Sequence, residues 1–261
     1  MRIIFIFTFF TICLSTVSYA SDLKIRIGFN SNSSFPYITG SGDKLASPPG
    51  VSVEIVGHVM REMGYDVEFI RVPGLRVLKM LQENALDAAF LFSHSKEREE
   101  FGVYPAGIKD GDFEARLATL SYSIFKSENS SLSWDGKSFS NLERPIGANT
   151  GYSIVKILRS AGVEVEEAMS TQRNIKKLLN RRIDGLADQD VVVEAHIKLL
   201  KVSGIVKLEP PIVTKNYYLI FSHKFAEEHK GDVEDIWQMI GENRDAMTEE
   251  LLPKYSLMLD Q

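Results

Sequence analysis

The chain has 261 residues, of which 44% are hydrophobic and 25% charged, with a formal net charge of −5. That composition excludes disordered, collagen-like and coiled-coil chains, and the length suits one large domain or two lobes of roughly 100–150 residues each. An acidic chain with no block of Lys and Arg lacks the clustered positive charge that nucleic-acid phosphates require, so no nucleic-acid partner is expected.

Residues 1–20 form a segment of their own. Arg2 gives a positive start, Ile3 to Leu14 is almost wholly apolar, and Ser18-Tyr19-Ala20 places small residues at −3 and −1 of a cleavage point. This is the layout of a secretory signal peptide cut after Ala20. The apolar run is shorter than the ~20 residues that a spanning helix needs. The single cysteine, Cys13, leaves with it. Because Cys13 follows Ile12 rather than small residues at the cut, a lipid anchor is not expected. The mature chain then has no disulfide, no thiol nucleophile and no thiolate metal ligand. With no second apolar stretch of spanning length, it is expected to be soluble.

Beyond Ala20, Lys24 to Phe29 alternates polar and apolar residues, a strand signal, and a loop rich in Ser, Gly and Pro follows from Asn30 to Gly50. Val51, Ile55, Val56, Val59, Met60 and Met63 recur at helical spacing, with Gly64 placed to end the helix. Val67 to Val72 reads as a strand, Leu75 to Glu83 as a helix and Asp87 to Phe92 as a buried strand. After a polar stretch from Lys126 to Arg144 the pattern restarts. Strands are expected at 145–148, 163–165, 183–187 and 205–208, with helices at 153–160, 174–180 and 191–200 between them. A further strand from Tyr217 to Ser222 leads to two terminal helices, around 233–240 and 248–254. Strands alternating with helices at this spacing indicate βαβ units and a largely parallel sheet.

The two halves echo each other. Leu81 precedes Asp87 by six residues and Leu178 precedes Asp184 by six, and each aspartate follows an apolar residue, Leu86 or Ile183. Coincidence between two βα units is one reading; two similar α/β lobes facing each other across a ligand cleft is the other, since such folds bind at the carboxyl ends of their strands.

The segments Ser34–Tyr37, Gly50–Ile55, Leu81–Ala88, Ser93–Arg98, Gly147–Ser153 and Arg182–Asp188, in this order and spacing, resemble those of the periplasmic solute-binding proteins of the amino-acid-binding type (extracellular solute-binding protein family 3). Ser34-Phe35-Pro36-Tyr37 follows the first strand, and Gly50-Val51-Ser52-Val53-Glu54-Ile55 resembles the family's glycine-aromatic-acid-x-acid-aliphatic helix start. Leu81 to Ala88 resembles its leucine-x-x-glycine-x-x-Asp-Ala segment, and Ser93 to Arg98 its serine, spacer and Glu-Arg motif, with Tyr104-Pro105 after it. Gly147 to Ser153 and Arg182 to Asp188 resemble the matching elements of the second lobe. The resemblance covers nearly all of the mature chain. It implies an α/β, two-lobed, type II periplasmic-binding-protein-like fold whose lobes are 21–120 plus 220–261 and 121–219. Strands near 121–125 and 217–221 would cross between them as a hinge.

The resemblance also implies a site. Arg98 matches the family arginine that grips the ligand's carboxylate, a role suited to the planar fork of a guanidinium; an exposed place in the run Lys96-Glu97-Arg98-Glu99-Glu100 is its alternative. Ser93 is placed to touch the same carboxylate, Phe35 and Tyr37 to wall the pocket, and Arg76 to reach the cleft. Thr150, Gly151, Tyr152 and Ser153 sit where a strand meets a helix, and free backbone N–H groups there favour an anion. One position departs from the pattern. Amino-acid binders place an acid about five residues after the second-lobe aspartate, where this chain has Gln189, between Asp188 and Asp190. A one-residue shift would make Asp188 the partner of an ammonium; otherwise the ligand meets a neutral amide. Ser52 likewise stands where the family often has Asp.

No metal, cofactor or catalytic residue is expected. The five histidines lack paired zinc-ligand spacing, and there is no phosphate-binding glycine loop or Gly-x-Ser-x-Gly elbow. The expected protein is a monomeric periplasmic binder of a small carboxylate-bearing solute, an amino acid or a relative, that delivers it to a membrane permease. The alternatives are a dehydratase-type enzyme on the same scaffold and a ligand-sensing subunit for a membrane receptor.

Overall fold

The computed structural model describes residues 23–108 and 114–259. The signal peptide expected at residues 1–20 lies outside the described residues. The first strand, β1 (Leu23–Asn30), fully buries Ile25, Ile27 and Phe29 on one face. On its other face Gly28 leaves room for Leu86, whose side chain a Cβ would strike. β1 pairs in parallel with β2 (Tyr65–Val72) and β3 (Ala88–Ser93), and α1 (Val51–Glu62) and α2 (Gly74–Gln82) are the crossovers. Gly50 precedes α1 at φ 119°, where a Cβ would run into the backbone of Tyr37. Its N–H donates to Tyr255 Oη at 2.8 Å, tying the start of α1 to the end of the chain.

The second half repeats this plan. β7 (Ile146–Asn149) pairs in parallel with β8 (Val165–Ala168) and β9 (Gly185–Gln189), joined through α3 (Ser153–Ser160) and α4 (Thr171–Leu179). The strand expected over 163–165 lies at Val165–Ala168, because Gly162 turns the chain (φ 77°) and the Val163 N–H bonds back to Leu158 O at 3.0 Å. Between the halves run β4 (Ala118–Ser127) and β10 (Ile205–Phe221), antiparallel to each other, giving the order β2-β1-β3-β10-β4-β9-β7-β8. The sheet is therefore parallel within each outer half and antiparallel at its centre. A small hairpin, β5 (Ser133–Trp134) with β6 (Phe139–Ser140), stands apart from it.

Two expectations about the C-terminal third are corrected. The strands expected at 205–208 and from Tyr217 are one continuous β10. Pro210 and Pro211, which lack N–H donors, are carried by a register shift between Leu208 and Val213. The two terminal helices are one, α7 (Lys230–Ser256), preceded by the short α6 (His223–Glu228). Its polar middle is held in place by Arg244, 4% exposed, which donates to Glu114 O and Arg116 O at 2.5 and 2.9 Å.

The core sorts largely by half. Phe29, Phe90, Phe221 and Trp237 centre one cluster, with Phe29 and Phe90 stacked at 5.0 Å. Leu132, Ile146, Ile154 and Leu158 centre another. Tyr37 and Leu91 pack against both. Among the described residues no helix is long and apolar enough to cross a membrane.

Candidate functional site

The carboxyl end of β3 is irregular. Tyr218 pairs with Phe92 but Leu219 with Phe90, so Leu91 is an extra residue, held at φ 64°. This bulge re-aims the end of the strand. Immediately after it, Ser95 caps a 3-10 turn (Lys96–Glu100) by accepting from the Arg98 N–H at 3.3 Å. The turn folds the Arg98 side chain back onto the strand end, where Nη1 donates to Ser93 O (2.9 Å) and Ser93 Oγ (2.8 Å). The guanidinium carbon lies 5.8 Å from the Phe92 ring centroid. Among the described residues neither Nε nor Nη2 of Arg98 donates to a protein acceptor. Tyr104 Oη donates to Ser93 O at 3.1 Å and fixes that carbonyl from behind.

Arg98 and Ser93 line a small cavity, about 50 Å³, between the two halves. From the first half come Asn30 and Ser34, with Ile38, Leu75, Leu78 and the β3 segment Phe90 to Phe92; from the second come Thr150 to Ser153 and Gln189. The two central strands each add a tyrosine, Tyr122 from β4 and Tyr217 from β10. The loop carrying Ser34 and Ile38 is anchored by Arg71 on β2, which donates to Lys44 O at 3.1 Å and to Gly40 O and lies over Phe29.

The polar groups of the cavity are chained together. Gln189 Nε2 donates to Tyr217 Oη at 2.9 Å, and Tyr122 lines the cavity beside them. Burial holds the phenols of Tyr122, Tyr152 and Tyr217 protonated, with pKa values raised above the ordinary range. Two buried atoms of the lining have no partner among the described residues: Gln189 Oε1 and Ser153 Oγ. An orphaned buried polar atom costs about 1–3 kcal/mol, so both favour a ligand that bonds to them.

Four residues expected at the site do not line this cavity. Phe35 belongs to the first core, 6.2 Å from the Tyr255 ring. Tyr37, half-buried, packs between the two cores instead of over the cavity. Arg76 is exposed on α2. Asp188 is fully buried behind the wall, where its Oδ2 accepts from Thr171 Oγ1 (2.6 Å) and Asn149 Nδ2 (2.9 Å) and its Oδ1 from the Gln189 N–H (2.8 Å). Desolvation raises its pKa to about 6 against the pull of those three bonds. Its shape puts Gln189, not Asp188, on the cavity: successive residues of β9 face opposite sides. Tyr122, Tyr217, Asn30 and Ser34 were not among the expected site residues. The one available signal was a tyrosine at the start of the expected strand from Tyr217.

The halves meet around the cavity. Asn32 Nδ2 donates to Met169 O at 2.7 Å, and Lys156 pairs with Glu97 across the opening. Leu75 packs on Gly151, whose φ of 76° and missing Cβ are both needed there, since a Cβ would lie 2.8 Å from Leu75 Cγ.

A βαβ half on each side of two crossing strands, with a cavity between the halves, is the two-lobed periplasmic-binding-protein-like fold. Solved structures of that class superpose over most of the chain. A histidine kinase sensor domain similar to periplasmic binding proteins does so at TM-score 0.71 and 16% identity, covering 89% of this chain and 95% of its own. The substrate-binding protein of an amino acid ABC transporter gives 0.67 and 16%, covering 89% and 98%. An ancestral amino-acid-binding protein, a precursor of cyclohexadienyl dehydratase, gives 0.64 and 15%, covering 87% and 94%. No protein-family model matches the sequence, and no curated protein matches it.

Proposed function

We propose that this chain is an exported, monomeric binding protein of the family 3 type, which captures a small carboxylate-bearing solute by closing two lobes on it and presents it to a membrane transporter. The lobes are 21–120 plus 220–261 and 121–219, with β4 and β10 as the hinge, and the signal peptide sends the protein to the periplasm. The observation that carries the reading is the convergence on one inter-lobe cavity of Arg98, with two donor nitrogens uncommitted among the described residues, and of Gln189 Oε1 and Ser153 Oγ, which have no partner among them. A carboxylate held in the guanidinium fork would sit at the first-lobe wall, with Ser93 Oγ beside it. The rest of the ligand would reach the second lobe and draw it shut, turning binding energy into a shape that a membrane partner reads.

A sensor role with a membrane kinase uses the same site and differs only in the partner. The dehydratase reading asks for a carboxylic acid in the cavity to protonate a leaving hydroxyl. Asp188 and Asp190 do not line it, and Glu54 accepts from Tyr255 Oη, away from it. Prephenate turnover by purified protein would nevertheless favour that reading.

The test is a thermal-shift screen of the exported protein, refolded to strip carried ligand, against carboxylates, amino acids, amines and short peptides. A ligand at 100 times its Kd adds about 2.7 kcal/mol, which raises the midpoint by roughly 5–10 °C. Shifts with carboxylates and none with simple amines are expected. A shift with amines alone would overturn the proposal.

A further inference from the structure

The cavity opens into a groove of about 1110 Å³, sharing with it Leu75, Leu78, Arg98 and the segment Thr150 to Ser153. Five cationic side chains line the groove against two acids, on a chain whose net charge is −5. Both acids are committed to cations: Glu97 pairs with Lys156, and Glu167 pairs with Arg159 at 2.9 Å and accepts from the Gly151 N–H at 3.3 Å. Arg98, Lys96 and Lys215 remain, and Lys96 is exposed.

Lys215 stands apart from the others. It is half-buried on β10, two residues before Tyr217 and therefore on the same strand face as that cavity tyrosine. Its neighbours Thr214 and Asn216 face the other way and bond to Ser121 and Thr119 of β4, at 2.7 and 2.6 Å. Among the described residues Lys215 makes no ion pair and no hydrogen bond. Burial lowers its pKa and the Arg98 charge lowers it further, so an anion between the two cations would relieve both. Among the described residues the cavity wall contributes Arg98 and no carboxylate.

Building on the carboxylate-binding reading of the cavity, we infer that Lys215 is a second anion contact and that the ligand is a small dicarboxylate without an ammonium group. One carboxylate lies in the Arg98 fork and the other faces Lys215. Gln189 Oε1 and Ser153 Oγ meet neutral hydrogen-bonding groups or bridging water between them. An ammonium in this site would find only Glu97 and Glu167, both already paired with cations on the groove side, and two cations to repel it. The positive groove also steers dianions toward the cavity in preference to singly charged acids.

The test is isothermal titration of the refolded, exported protein with two matched triples: succinate, butyrate and L-aspartate, then glutarate, valerate and L-glutamate. The dicarboxylate of at least one triple is expected to bind tenfold or more tightly than its monocarboxylate and its amino-substituted partner. Lys215→Gln should shrink the ratio of dicarboxylate to monocarboxylate affinity at least tenfold, and Lys215→Arg should restore it. Unliganded thermal midpoints check that both variants fold. Tighter binding of aspartate or glutamate, or a ratio unchanged in Lys215→Gln, would overturn this inference while leaving the carboxylate reading in place. Binding by none of the six, or binding unaffected by Arg98→Gln, would overturn both.

Discussion

The two lobes solve one packing problem with different chemistry. In the first, Asp87 immediately precedes β3 and accepts from the Arg26 backbone N–H (2.8 Å) and guanidinium (2.7 Å), locking it to β1. In the second, Asp184 precedes β9 and accepts from the backbone N–H groups of Glu143 and Arg144 (2.7 Å each) and from the Arg144 guanidinium (3.2 Å). Gly28 leaves room for Leu86 and Gly147 for Ile183 in the same way. One layer further in, the lobes diverge. Val77 on α2 sits in an apolar cluster, whereas Asn174 on α4, the same number of residues before its aspartate, donates to Asn149 Oδ1 at 3.0 Å. Asn149 in turn serves Asp188. The first lobe supplies an apolar floor and an arginine; the second supplies a buried polar network that holds Asp188 and the Gln189 backbone N–H. The lobes thus share a frame and differ where they meet the cavity.

Exchanging the divergent pair tests this directly. Val77→Asn buries an amide with no partner and is expected to cost about 3–5 kcal/mol in urea unfolding. Asn174→Val removes one donor from Asn149 but also an unpartnered Oδ1, and is expected to cost about 1 kcal/mol. Equal costs would break the contrast between an apolar and a polar lobe.

Asp188 gives the second lobe a buried acid whose contribution to stability changes with pH. Its folded pKa, about 6, lies above the ordinary carboxylate value, so the folded state holds the proton more tightly than the unfolded chain. Its contribution is present at low pH and is lost as pH rises from about 4 to 6, a fall of about 3 kcal/mol. Asp188→Asn is expected to flatten that part of the stability profile. An unchanged slope would remove the buried carboxylate from the account.

Closure makes a smaller demand. Gly151→Ala places a methyl against Leu75 at a positive φ, and is expected to weaken ligand binding about tenfold while shifting the unliganded midpoint by only a few degrees. Small-angle scattering should then show the liganded variant more open than the parent. Smallest is Glu97→Ala, which breaks a solvent-exposed pair and should change affinity by less than about 0.5 kcal/mol.

Much of the frame was legible in the sequence because it rests on local patterns. The Leu81–Asp87 and Leu178–Asp184 spacings mark the repeated unit, and the periodicity of 153–160 gives α3 to the residue. What was not legible depends on distant partners. Pro210-Pro211 reads as a break, yet the pairing of β10 with β4 on either side carries the strand through it. The two terminal helices expected around 233–240 and 248–254 run as one, α7, across a polar stretch held by Arg244 on the carbonyls of Glu114 and Arg116. At the site, Ser93, Arg98, Thr150 to Ser153 and Gln189 meet at one cavity, but nothing local told Asp188 from Gln189. That choice is made by Asn149 and Thr171, which lie 39 and 17 residues away and hold Asp188 on the far side of the wall.

The central claim is that Arg98 holds the carboxylate on which the second lobe closes. Its most direct test is isothermal titration of Arg98→Ala with the carboxylate that gives the largest thermal shift. Removing one partner of a desolvated, hydrogen-bonded charge pair costs about 2–5 kcal/mol, so a loss of at least ~30-fold in affinity is expected, with an unliganded midpoint close to that of the parent. Binding as tight as the parent's would contradict the account.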